Sequence, residues 1–482
     1  MQLETCRNFY YLKRIESTIQ ELLDYIETLS LQTMFETLVI AAPIVAIALV
    51  VSLCRSSLVG AVLVLAMAVA KAWFIELPGI ELGIMLYPTD AVALLIALAA
   101  LVRITARQSF RVPPSGLIFT TLLMLSFLIG LAEFGQSAGV DFRVMFAFIA
   151  AVFYFASFDT DSELVVRLAR VWVIAACVLI LIAWFVWAAD AAGLAMAQKW
   201  IDAEPLAALR FRVLNASVTY VIGVGSVVLL HLLMSGQMAA RWWPVLLALS
   251  GTVLVLQHRS VWVATFLSAV VVVLLVQRGR TKIFLFLGVA ALLAVAMVPF
   301  ISHRLSAVSE SVSAQAERAT DMTKGTSGGR VRAWEILLKD WHKLGLGRQL
   351  IGKSFGSPYG GLTNAPHNCY LQVMYRTGYV GLLAMLAMYG STLIRLLGRR
   401  HGTAKGEAGV ETLLLALIVG QLAYFIPYAF TPEQGLLMGI AFAYIGRKPL
   451  RHSAAMSQLE DSLGVSPAPT GQATSHTRST KC

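Results

Sequence analysis

Apolar runs of about 17 to 25 residues, the length needed to cross roughly 30 Å of hydrocarbon at 1.5 Å per residue, recur along this chain from residue 37 to residue 447. Short polar or basic stretches divide them. The pattern predicts spans at 37–53, 57–76, 86–103, 116–134, 143–158, 165–189, 213–234, 241–257, 260–276, 281–301, 368–394, 411–430 and 434–447. The polar segments differ from one another. Residues 1–36 carry Phe9, Leu12, Ile15, Ile19, Leu22, Ile26 and Leu29 at helical spacing, which predicts an amphipathic surface helix. Its three basic against six acidic residues argue against anionic lipid headgroups. Residues 302–367 form the longest polar interruption. Within them Val331, Trp334, Leu338, Trp341 and Leu344 predict an amphipathic helix over 329–344 lying at the membrane interface, with Arg330, Arg332 and Lys339 turned toward a cavity. Gly345, Gly347, Gly352, Gly356, Gly360 and Gly361 follow and allow an irregular path close to a ligand. The tail is rich in Ser, Thr, Ala and Pro and is expected to be disordered.

The fold class is therefore all-α, a polytopic membrane protein with about 12 transmembrane helices and one large outer loop carrying amphipathic helices. Its segments are the surface helix 1–36, a first membrane part 37–301, the outer loop 302–367, a second membrane part 368–447 and the tail 448–482. Composition agrees: 58% of residues are hydrophobic and 13% charged, with a mean hydropathy of +0.74, well outside the range of soluble globular domains. Residues 1–36 show no cleavable signal pattern, so the first spans are expected to direct insertion.

Lys and Arg mark cytoplasmic loops. Arg103, Arg107 and Arg111 form one such group, Arg167 and Arg170 a second, Arg278, Arg280 and Lys282 a third, and Arg395, Arg399, Arg400 and Lys405 a fourth. The alternate connections then face outward: 77–85, 135–142, 190–212, the turn at His258–Arg259, 302–367 and 431–433. Thirteen full spans would put Met1 outside, and a half-inserted 37–53 would keep it inside. The net charge of +11 follows largely from the orientation-setting loops, so nucleic acid is not an expected partner. Cysteines 6, 54, 177, 369 and 482 show no paired or metal-type spacing, which predicts neither a disulfide framework nor a zinc site. Cys369 reads as a small residue packed at a helix start. No internal repeat is visible, which disfavours a secondary transporter.

The outer-face charges carry the candidate chemistry. Arg259 lies in Leu256-Gln257-His258-Arg259-Ser260-Val261-Trp262, where two spans meet almost without a loop. It either snorkels to headgroups or aims its fork of donors at phosphate oxygens in an outer cavity. His258 beside it assists or simply makes the turn. Arg210 and Arg212 run against the orientation rule and fit a second anionic group or a solvated loop. The loop 302–367 has nine Lys or Arg against five acids, a net of +4 that makes the outer surface positive. His367 follows Pro366 and opens a span, and its ordinary pKa range suits proton transfer.

In order along the chain, Arg212 before a span bearing Gly223, the run from His258-Arg259 to Ala264, Gly329-Arg330-Val331-Arg332-Ala333-Trp334, Gly345-Leu346-Gly347 and Pro366-His367-Asn368-Cys369-Tyr370-Leu371 resemble the O-antigen ligase and O-antigen (exopolysaccharide) polymerase superfamily. The resemblance implies a bacterial inner-membrane glycosyltransferase with a GT-C-like helical fold and its active site on the periplasmic side. It implies transfer of a glycan from undecaprenyl diphosphate to an acceptor glycan or glycolipid, with inversion and without a cofactor or metal. Implied partners extend to the bilayer and to polysaccharide-export or chain-length-control proteins. By the same resemblance His367 orients or deprotonates the acceptor hydroxyl and Arg259 acts as a catalytic cation that binds the leaving diphosphate. Arg212, Arg210 and either Arg330 or Arg332 hold the diphosphate, with His258 and Asn368 in support. Polymerase and ligase differ mainly in acceptor. A lipid-linked glycan flippase or secondary transporter is the alternative.

Overall fold

The computed structural model describes residues 44–74, 79–81, 85–107, 110–194, 213–276, 325–362, 366–402 and 409–447. Among the described residues the regular structure is helical apart from a two-stranded hairpin. Its helices are α1 (Ile44–Arg55), α2 (Ser57–Trp73), α3 (Pro88–Arg107), α4 (Pro114–Phe134), α5 (Gln136–Ala156), α6 (Ser162–Ala191), α7 (Ala216–Met234), α8 (Trp243–Val255), α9 (Arg259–Leu275), α10 (Gly325–His342), α11 (Leu346–Ile351), α12 (Cys369–Gly402), α13 (Gly409–Tyr424) and α14 (Pro432–Gly446). Strands β1 (Ile80–Glu81) and β2 (Met85–Leu86) pair antiparallel just before α3. The predicted surface helix 1–36, the span 281–301 and the tail lie outside the described residues.

Among the described residues six helices, α3 to α7 and α12, are long and apolar enough to cross a membrane, and α1, α2, α8, α9 and α13 are shorter apolar helices. This is the architecture of a multi-pass helical membrane protein. The 21 residues of α4 and of α5 each give about 31 Å of helix, one hydrocarbon thickness. Helix α7 is the central element, with 83% of its apolar window buried. Helix α14 lies along α5, where Gly435 and Gly439 meet Ala151 and the Val152 carbonyl, the close backbone approach that small residues permit between membrane helices.

The structure corrects two readings of the sequence. Residues 136–142, expected to belong to an outer loop, are the first two turns of α5, and only Gly135 (φ 56°) separates α4 from α5. Ala138 and Phe142 on that stretch are packed inward, so its polar residues line a cavity rather than a loop. Arg103 is not a loop marker. It lies within α3, 3% exposed, with its guanidinium on Ser157 and the Cys54 carbonyl and over the Phe158 ring. Arg111 and Arg399 do stay at helix ends, bonded to Asp159 and to the Tyr444 carbonyl. The predicted loop helix 329–344 appears as α10, with Trp341 fully buried against Tyr375 and Tyr379.

Candidate active site

The site is built on the segment between α11 and α12. Gly378 (φ 71°) breaks α12, and a Cβ there would overlap the Leu350 carbonyl, so the α11 C-terminus packs into the break. Two residues earlier on α12, Arg376 is 1% exposed and divides its fork between this segment and Asp141 of α5. It pairs with Asp141 at 2.6 Å and donates to Ser354 O at 2.8 Å, Ser357 O at 2.8 Å, Ser357 Oγ at 2.6 Å and the Tyr359 hydroxyl at 3.1 Å. The Tyr359 ring lies 3.9 Å from the guanidinium carbon. A buried guanidinium is tolerable only with such full pairing. Asp141 in turn accepts from the Tyr359 hydroxyl at 2.9 Å and from Gly356 N at 3.1 Å. Gly356 has φ 82°, and a Cβ would meet Ala138 N at 2.8 Å. Lys353 bonds Asp340 of α10 at 2.8 Å, and that hydrogen bond above all holds the Asp340 carboxyl below its ordinary range.

Two polar cavities open where these elements meet α2, α3, α5, α7 and α13. The larger, about 1070 Å³, lies between the β2–α3 connection, the first turns of α5, the 356–359 loop and the start of α12. The smaller, about 370 Å³, is bounded by Lys71, Asp90, Asn215, Ser217, Tyr424 and Tyr428. His367 and Arg143 line both. A third cavity of about 900 Å³ between α8 and α9 includes neither of them and has no ionisable side chain in its wall.

The position of His367 follows from its neighbours. Asn368 is buried and caps α12, its Oδ1 accepting from Leu371 N at 2.9 Å, while Cys369 N lies 3.0 Å from both Phe425 O and Tyr428 O. The helix start is thereby fixed, and His367 is left exposed at the cavities. Partial desolvation first, then the charge of Arg330, lower its pKa below the ordinary histidine value, so the ring is neutral at pH 7 and able to accept a proton. Arg330 stands 4.9 Å over the Tyr428 ring, which stacks on Tyr424 at 4.8 Å.

The expected residues thus separate. His367 and Arg330 come together, whereas Arg332, two residues along α10, is exposed. Arg259 opens α9, half-buried, and lines neither of the two polar cavities. His258 sets the turn before it through Nε2, 2.8 Å from the Leu214 carbonyl. Asn368 is a helix cap. Cys369 is fully buried, as expected of a packed residue. Arg210 and Arg212 lie outside the described residues, shortly before Asn215 of the smaller cavity.

Sequence reasoning missed Asp141, Arg143 and Arg376. Arg143 pairs with Asp90 at 3.3 Å, donates to Met85 O at 2.6 Å and lies 5.0 Å from the Tyr87 ring centre. Arg376 did leave a signal, because a charge inside an apolar span marks a functional or buried-pair position.

The fold and site define a helical, multi-pass membrane protein with a cation-rich polar site at one end of its helices. Residues 244–386 match the family model described as O-antigen ligase. The match runs from α8 into α12 and includes Arg259, Arg330, His367 and Arg376, while Arg143 and Asn215 precede it. No curated protein sequence matches the chain.

Proposed function

We propose that the protein is a glycosyltransferase that moves a glycan from undecaprenyl diphosphate to an acceptor sugar at the periplasmic face of the bacterial inner membrane. The observation that carries this reading is His367, an exposed imidazole with a lowered pKa bordering two polar cavities at once. Such a residue can take a proton from a hydroxyl in one cavity while a leaving group departs in the other. The acceptor oxygen forms a bond to the anomeric carbon as the bond from that carbon to the diphosphate oxygen breaks. The hydroxyl proton passes to His367, and undecaprenyl diphosphate leaves with the bonding electron pair. In-line attack inverts the anomeric centre.

Charge on the departing diphosphate needs fixed cations. Arg330 is beside His367, and Lys71 and Arg143 line the smaller cavity. Arg259 and the arginines at 210 and 212 are further candidates for the same role. The family match supports lipid-linked glycan and acceptor as the substrate classes.

The test is transfer by the purified protein in lipid, given undecaprenyl-diphosphate glycan with or without a core-lipid acceptor. A product ladder without added acceptor identifies a polymerase, and a single shift that needs the acceptor identifies a ligase. No product in either condition rejects the reading.

A further inference from the structure

The two cavities that meet at His367 differ in chemistry. In the larger one the charges are matched within the protein: Asp141 with Arg376 at 2.6 Å, and Arg143 with Asp90 at 3.3 Å. What remains in its wall is neutral: the rings of Tyr87 and Tyr359, the hydroxyl of Ser137 and the amides of Gln136 and Gln372. The smaller cavity keeps Lys71, which has no ion pair among the described residues, and lies beside Arg330.

Gln372 stands out. It lies on α12 little more than one turn after His367, is only 6% exposed and lines the larger cavity, yet its side-chain Oε1 has no hydrogen-bond partner among the described residues. That oxygen is closed off from solvent, so the end of the side chain left to meet a ligand in the cavity is the amide nitrogen, a donor with no hydrogen-bond partner among the described residues. An aromatic wall with neutral hydrogen-bonding groups suits a sugar ring, which offers an apolar face and a rim of hydroxyls. The volume of about 1070 Å³ lies at the top of the range of roughly 300 to 1,000 Å³ that holds a drug-sized ligand, room for more than one sugar.

We infer that the larger cavity is the acceptor site, that it takes a neutral stretch of oligosaccharide, and that the Gln372 amide hydrogen-bonds an acceptor sugar and helps set acceptor specificity. The smaller cavity then takes the diphosphate end of the donor. This rests on the glycosyltransferase reading above, and the experiment separates the two.

Lipid-free core oligosaccharide and the O-unit oligosaccharide released from its carrier are titrated, without donor, against wild-type protein in detergent, with binding followed by saturation-transfer NMR. Sugar-free undecaprenyl diphosphate is titrated in parallel. Wild type binds at least one oligosaccharide. Gln372→Met weakens that binding about ten-fold, the equivalent of one hydrogen bond of about 1.4 kcal/mol, and leaves the affinity for undecaprenyl diphosphate within about two-fold. Its melting temperature does not fall, because no internal partner is lost. Ser137→Leu, which fills the same cavity from α5, gives the same selective loss. Absence of oligosaccharide binding to wild type, unchanged binding in both variants, or an equal loss for undecaprenyl diphosphate overturns the assignment. Oligosaccharide binding with this pattern but no transfer by wild type upholds the cavity assignment and rejects the reaction instead.

Discussion

Arg376 and Asp141 form an ion pair of 2.6 Å that joins α12 to α5, with the arginine 1% exposed. The same two side chains bind the backbone of the 354–357 segment and the Tyr359 hydroxyl. The floor of the larger cavity is therefore fixed by one buried pair, and His367 sits on the helix that carries it. Removing either partner leaves an uncompensated buried charge, at a cost of about 3 to 5 kcal/mol.

Arg376→Ala and Asp141→Ala are accordingly expected to lower the melting temperature of the purified protein and to abolish transfer together. Unchanged melting in both would mean that the pair does not support the cavity floor.

His367→Ala is expected to keep wild-type melting, because the ring is exposed and Asn368 alone caps α12. Transfer falls by about 10² to 10⁴, the range for a lost general base. The comparison to make is single-turnover transfer at saturating donor, and wild-type rates there would remove His367 from the chemistry.

The pH dependence has a definite sign. His367 acts as a base only when neutral, and its lowered pKa means that activity is full at pH 7 and is lost as pH falls through a value below the usual histidine figure of about 6.5. Arg330→Met removes one of the two causes of that lowering, so the acid limb of the kcat profile moves to higher pH. Arg332→Met, at an exposed position, leaves it in place. An acid limb that stays put in Arg330→Met would show that the two residues do not interact during turnover.

Arg259→Lys separates snorkelling from phosphate recognition. A lysine can still reach headgroups, but it lacks the planar fork that pairs with two phosphate oxygens. A fall in transfer of about ten-fold or more with normal protein levels in the membrane is expected, and full activity would assign Arg259 to snorkelling.

Much of the fold was legible in one dimension because crossing hydrocarbon is a local demand. Each span must be apolar over its own length, and the predicted 116–134, 213–234 and 260–276 coincide with α4, α7 and α9 to within a few residues. The amphipathic spacing from Val331 to Leu344 likewise encodes α10, and Pro366-His367-Asn368 already marks a helix start with a candidate base. Polarity was ambiguous where water and protein compete for the same side chains. Residues 136–142 read as a loop because they are polar, and Arg103 as a loop marker because it is basic. Both are helical because partners distant in sequence satisfy them: Arg376 for Asp141, and Ser157 with the Cys54 carbonyl for Arg103.

The sequence by itself determined a helical membrane protein with a basic polar segment ending in His367. Only the tertiary structure decided that the charge of Arg330 acts on that histidine while Arg332 faces outward, that Arg143 borders both cavities, and that Gln372 keeps an unpaired amide in the larger one. Hydropathy and helical period depend on neighbours along the chain, whereas charge pairing, pKa shifts and cavities depend on which helix ends meet in space.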